Sequence, residues 1–92
     1  MTSAQHTLQL VQNYPNPFNK VTRINFSIAV ADRVVITVHD LLGRNVAMLL
    51  DASLDAGGHQ MDFSPDNLSS GVYFLRMNAG GRMQWRPMVY LK

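Results

Sequence analysis

"VTRINFSI", residues 21–28, and "RVVITVHD", residues 33–40, decide the fold. In the first, Ile24, Phe26 and Ile28 alternate with Arg23, Asn25 and Ser27. A period of two puts the apolar set on one side of a β-strand and the polar set on the other. In the second, Val34, Ile36 and Val38 share one face, and Val35, Thr37 and His39 share the opposite one, which is therefore partly covered. Working outward, five more runs have strand character: "LQLVQ" (8–12), "NVAMLL" (45–50), "HQMDFS" (59–64, Met61 and Phe63 on one side), "GVYFLRM" (71–77) and "RMQWRPMVYLK" (82–92). Turn residues separate them. "AVADR" (29–33) divides the two long strands, and Gly43 in "DLLGR" (40–44) is free to take positive φ. Gly57 and Gly58 mark a turn in "DAGGH" (55–59), "SPDNLSSG" (64–71) is a longer loop, and "NAGGR" (78–82) is a hairpin turn. Only "VAMLLDASL" (46–54) could form a turn or two of helix, and its neighbours are strand-like. The expected fold is all-β: a seven-stranded antiparallel immunoglobulin-like β-sandwich.

The totals agree with a small domain of this class. The chain has 92 residues, 47% hydrophobic and 15% charged. Residues 8–92 read as one domain, and residues 1–7 as a linker or the start of an expressed fragment. There is no cysteine, which excludes disulfides and thiolate metal sites. Six Arg and two Lys face six Asp, with no Glu. These charges are scattered, so they read as a solvated surface rather than a nucleic-acid patch. The start, "MTSAQHTLQL", has neither the basic nor the apolar region of a signal peptide. No apolar run approaches the roughly 20 residues of a membrane helix.

"NYPNPFN", residues 13–19, resists both helix and central strand, because Pro15 and Pro17 fix φ and lack N–H groups. Asn13 and Asn16 favour turns by bonding the backbone nearby. The expectation is a stiff crossover from one sheet to the other, with Tyr14 and Phe18 plugging the open end of the sandwich.

The inventory contains no convergent chemistry. His39 and Asp40 are adjacent in a strand and point to opposite faces, so they form no dyad. His6, His39 and His59 are dispersed, and no metal spacing is present. Asp62, Asp66 and Asn67 lack the calcium-loop spacing and read as turn residues. Asn25 and Asn67 open glycosylation triplets that occur commonly by chance. Tyr73, Trp85 and Tyr90 suit a core better than a sugar platform, and the six methionines suit core gaps. The residues alone thus predict a non-enzymatic β-sandwich module that needs no cofactor.

Four ordered blocks resemble a known family. "LVQNYPNPFNKVTRINFSI" (10–28) is similar to the opening of the C-terminal sorting domain of the type IX secretion system of Bacteroidetes: Leu10, Gln12, Asn13, Tyr14, Pro15, Asn16, Pro17, Phe18, Asn19, Thr22, Ile24 and Phe26 match, and Lys20 replaces the usual third proline. "VVITVHDLLGRNV" (34–46) resembles the family's middle block, with His39 where tyrosine is usual. "AGGHQMDFSPDNLSSGVYFLRM" (56–77) and the closing "MVYLK" (88–92) resemble its last two blocks. Pro87 stands where a basic residue is usual, with Arg86 one position earlier. The resemblance covers about residues 8–92, and its first block is shared with the immunoglobulin-like domain of flagellar hook-capping proteins.

The resemblance implies a non-catalytic signal, recognised folded in the periplasm and passed by shuttle proteins to the outer-membrane translocon. It implies removal by a cell-surface sortase that cuts before Leu8, leaving the cargo at the surface or outside the cell. Gly71, Tyr73, Arg86, Met88, Val89 and Lys92 are the expected recognition residues. Lys92 leads because folding does not demand it, and Pro87 marks the last strand as an edge or a bulge. An exposed edge there would offer its backbone to a partner strand or to a homodimer. Two rivals are a carbohydrate-binding module and an assembly spacer.

Overall fold

The computed structural model describes residues 8–92; the expected linker, residues 1–7, lies outside them. Seven strands follow in order: β1 (Leu8–Leu10), β2 (Thr22–Ile28), β3 (Asp32–His39), β4 (Asn45–Leu54), β5 (Gly57–Phe63), β6 (Gly71–Ala79) and β7 (Arg82–Tyr90). Every ladder is antiparallel. One sheet has the order β1-β2-β5 and the other β4-β3-β6-β7. In a constant-type immunoglobulin domain the fourth strand lies beside the fifth. Here β4 pairs with β3 instead, so three strands face four.

The alternation seen in the sequence becomes the core. Ile24, Phe26 and Ile28 from β2 meet Val34, Ile36 and Val38 from β3 and Tyr73, Leu75 and Met77 from β6, all buried. The second face of β3 is also covered, as its composition predicts: Thr37 and His39 are buried. Thr37 Oγ1 and His39 Nε2 share a hydrogen bond of 2.9 Å, and His39 Nδ1 donates to the Gly43 carbonyl at 3.3 Å. His39 therefore holds the β3–β4 turn and has no dyad with Asp40. The "VAMLLDASL" stretch lies wholly within β4.

Turn chemistry sets the registers. Gly43 takes φ +84°. Around it the Asp40 carboxylate accepts from Leu42 N and Arg44 N, both at 2.9 Å, and from Arg44 Nε at 2.8 Å. Gly80 and Gly81 have φ of +59° and +79°, the two positive values that a tight hairpin needs. Gly57 and Gly58 depart from expectation. They belong to β5 and pair with Ile28 and Ser27, and the bend falls at Asp55–Ala56.

Acid groups in the β3–β4 turn and in β4 make stability pH-dependent. The Asp40 carboxyl lies below its ordinary 3.8, mainly through the backbone N–H of Arg44. Asp51 is also lowered, mainly by its hydrogen bonds from the Arg33 side chain. A carboxyl with a depressed folded pKa stabilises above its unfolded value and loses that contribution as pH falls. The melting temperature is therefore expected to drop below about pH 4, and Asp40→Asn to make that drop shallower. Melting curves from neutral pH down to pH 2 check this; curves that coincide for the two proteins would contradict it.

Two further departures concern aromatic and sulfur side chains. Tyr73 and Tyr90 are core residues, but Trp85 is 44% exposed on the outer face of the larger sheet. The register pairs Trp85 with Arg76, across from the row that carries Leu75 and Met88. Met77 and Met88 fill the core as expected, whereas Met48 and Met83 stand in solvent, at an edge strand and a hairpin.

Candidate functional site

The "NYPNPFN" segment does not cross between sheets. It joins β1 to β2, which pair with each other (Leu10 opposite Phe26), so the chain leaves and re-enters the same sheet. On the way it lies along the outer edge of β7. Gln12 Nε2 donates to the Pro87 carbonyl, and Asn16 Oδ1 accepts from Val89 N at 2.8 Å. Phe18 N donates to the Val89 carbonyl at 3.0 Å, and Leu91 N donates to the Phe18 carbonyl at 2.8 Å. Side-chain amides thus pair the β7 edge where prolines cannot, and backbone groups pair it where the prolines end.

A buried polar network keeps the segment rigid. Asn13 is 1% exposed. Its Nδ2 donates to Thr22 Oγ1 at 2.9 Å and to the Pro15 carbonyl at 3.3 Å, and its Oδ1 accepts from Gln12 Nε2 at 2.7 Å. The Thr22 hydroxyl in turn donates to the Pro15 carbonyl at 2.8 Å. Each buried polar atom named here has a partner, which such burial requires. Phe18 is the plug: its ring lies 6.2 Å from Phe63 on β5 and 5.1 Å from Tyr90 on β7, joining both sheets. Tyr14 is not a plug. Its N and O pair with Arg23, and its side chain stays 78% exposed.

Gln84 makes a second clasp, between β7 and β1. Its Oε1 accepts from Leu10 N at 2.6 Å and its Nε2 donates to the Leu8 carbonyl at 3.0 Å. Sequence reasoning missed Gln84. The available signal was a polar residue in the inward row of a strand, a position that requires a partner.

The recognition residues of the sequence reading are divided by this arrangement. Tyr73 and Met88 are buried. Tyr73 Oη donates to the Ser69 carbonyl at 2.6 Å, a corner bond typical of immunoglobulin-like sandwiches. Gly71 pairs with Tyr90, and Arg86 is half-buried with Nη1 turned back to the Trp85 carbonyl at 2.8 Å. Val89 has both backbone groups occupied by the clamp. Lys92 is exposed, with its N donating to Ser70 Oγ at 2.8 Å. Its ammonium has no ion-pair partner among the described residues.

The expected open edge is therefore closed from Pro87 to Leu91, and neither β-augmentation nor an edge-to-edge homodimer has free backbone there. Pro87 does lie on an edge strand, and its outward-facing position costs the β6–β7 ladder no hydrogen bond. The opposite edge, β4, carries two register shifts against β3, the irregularity that discourages strand addition.

β7 and the residues after it are locked on one side by β6 and on the other by a motif read from the sequence. A family model described as the secretion system C-terminal sorting domain matches residues 12–90. No curated protein matches the chain significantly. The family's role is sorting for type IX secretion, to the cell surface or beyond it. From Gln12 of the clamp to Tyr90 of β7, the matched span takes in nearly all that the structure describes, and the chain belongs to the family of secretion system C-terminal sorting domains.

Proposed function

We propose that this domain directs a cargo protein through the type IX system across the outer membrane, acting without catalysis and in folded form. Shuttle proteins and the outer-membrane translocon read it in the periplasm, and a cell-surface sortase removes it by cutting before Leu8. The observation that carries the reading is the fixed presentation of residues 88–92. Met88 and Tyr90 anchor the strand in the core, the clamp holds Val89 and Leu91, and Lys92 projects from this frame. A non-catalytic role accords with the scattered histidines: His39 is committed to a turn and His59 bonds the Asp55 carbonyl.

The test is a transport assay in a bacterium carrying the type IX system, with residues 1–92 fused behind a periplasmic fluorescent reporter. Reporter is expected at the surface and in the medium. Lys92→Ala is expected to trap it in the periplasm while the melting temperature stays unchanged, because an exposed side chain without contacts contributes under about 0.5 kcal/mol to stability. Mass spectrometry of exported reporter is expected to show an end upstream of Leu8. Periplasmic retention of the intact fusion, in a strain that exports its own cargo, would overturn the sorting role. Export of Lys92→Ala at the normal level would remove Lys92 from recognition, and an exported product that keeps the whole domain would remove the sortase step.

A further inference from the structure

The outer face of the four-stranded sheet has the composition of an interface. Trp85 is 44% exposed there, beside the half-buried Phe74. The β3–β4 turn adds Leu41 and Leu42, which are 69% and 78% exposed. Two exposed leucines at a turn tip gain nothing from folding. The turn nevertheless holds them firmly, through the three hydrogen bonds to the Asp40 carboxylate. Between the turn and Trp85 lies an apolar pocket of about 330 Å³, lined by His39, Leu41, Phe74 and Trp85 among others. Large aromatics, Met and Arg without Lys or Glu are the residues that mark the centre of a protein interface.

Charge identifies the partner. The Arg76 guanidinium lies 5.6 Å from the Trp85 ring centre, and Arg76 makes no ion pair among the described residues. Its Nε is buried without a hydrogen-bond partner. The nearby acids are already used, Asp40 by Arg44 and Asp51 by Arg33. The buried Nε is closed to a partner from outside, but the guanidinium as a whole carries an unpaired charge on the Trp85 ring, and an incoming carboxylate would pair with that charge. We propose that this face docks a folded protein partner that brings a carboxylate to Arg76 within an apolar rim seated on Trp85 and Leu42. The inference rests on the export reading, because it places the partner in the export machinery.

Other occupants fit less well. A second copy offering the same face brings no free acid. An anionic membrane needs several free cations around the apolar tip, and Arg44 and Arg33 are both paired. A sugar ring needs an open aromatic face, and Trp85 has Arg76 over its ring and His39 tilted against it at 5.3 Å.

The same export assay tests the proposal, with Arg76→Glu, Arg76→Lys and Leu42→Ser, and Val30→Ser in the β2–β3 turn as an exposed control elsewhere. Arg76→Glu is expected to cut export about tenfold or more, the effect of setting like charges against each other in a desolvated contact. Leu42→Ser is expected to reduce export with no change in melting temperature. Arg76→Lys keeps the charge but not the planar guanidinium and is expected to lose less export than Arg76→Glu, and Val30→Ser keeps all of it. A merely structural Arg76 would make export follow melting temperature, with Lys as harmful as Glu. Normal export of both Arg76→Glu and Leu42→Ser overturns the docking face and leaves the sorting role intact, whereas periplasmic retention of the unmodified domain removes both. Two results with purified domain would also overturn the protein partner: flotation with phosphatidylglycerol vesicles that needs Arg76, or dimerisation that Leu42→Ser abolishes.

Discussion

Phe18→Ala is expected to destabilise the domain by about 3–5 kcal/mol, the usual cost of emptying a buried phenylalanine site. Phe18 is 3% exposed and touches rings from both sheets, so no single neighbour can move in to fill the space. A domain of this kind has about 5–15 kcal/mol in total. At about 4–8 °C per kcal/mol for 60–100 residues, the melting temperature should fall by at least about 12 °C. The backbone bonds of Phe18 to Val89 and Leu91 depend on the ring to hold the segment against β7. The clamp should therefore loosen along with the core. Tyr14→Ala is the matched control. It lies four positions earlier in the same motif, is 78% exposed, and is expected to change stability by under about 0.5 kcal/mol. Thermal unfolding followed by circular dichroism reads both. Equal losses for the two substitutions would mean that the clamp does not depend on Phe18 in the way described.

That contrast shows what the sequence made legible. The strands and the core were readable because sandwich strands obey one period, and Ile24, Phe26 and Ile28 or Val34, Ile36 and Val38 announce an inward face directly. The glycines of tight turns were readable at Gly43, Gly80 and Gly81, but Gly57 and Gly58 lie within a ladder, where Gly57 nonetheless takes φ +128° at the first position of β5. The prolines of "NYPNPFN" exclude regular structure, but they do not say where the segment goes. Its path depends on β7 being the sheet edge that lies beside β1, at the end opposite β4. Pairing across 73 residues, as between Asn16 and Val89, leaves no local pattern. For the same reason Tyr14 and Phe18 look alike in the sequence and differ wholly in the fold, and the terminal strand read as an open edge is covered. Among the candidate recognition residues, strand period separates Tyr73 and Met88 as inward, whereas the exposure of Trp85 follows from which sheet face has no second layer over it.

Removing Met88–Lys92 is expected to abolish cooperative folding rather than delete a signal alone. Met88 is fully buried and Tyr90 nearly so, and losing a buried methionine alone costs about 2–5 kcal/mol. The loss of Tyr90 takes away the ring against Phe18, and the loss of Val89 and Leu91 takes away three of the four hydrogen bonds that hold the clamp to β7. Together these losses approach the whole stability of a small domain. The shortened protein should show no sharp melting transition and should be cut rapidly by protease, while Lys92→Ala melts normally. Trapping of the shortened fusion in the periplasm would then report an unfolded domain, and trapping of Lys92→Ala a lost contact. If instead the shortened domain melts cooperatively near the temperature of the intact one, β7 is not integral to the core, and the folded frame proposed to present Lys92 does not exist.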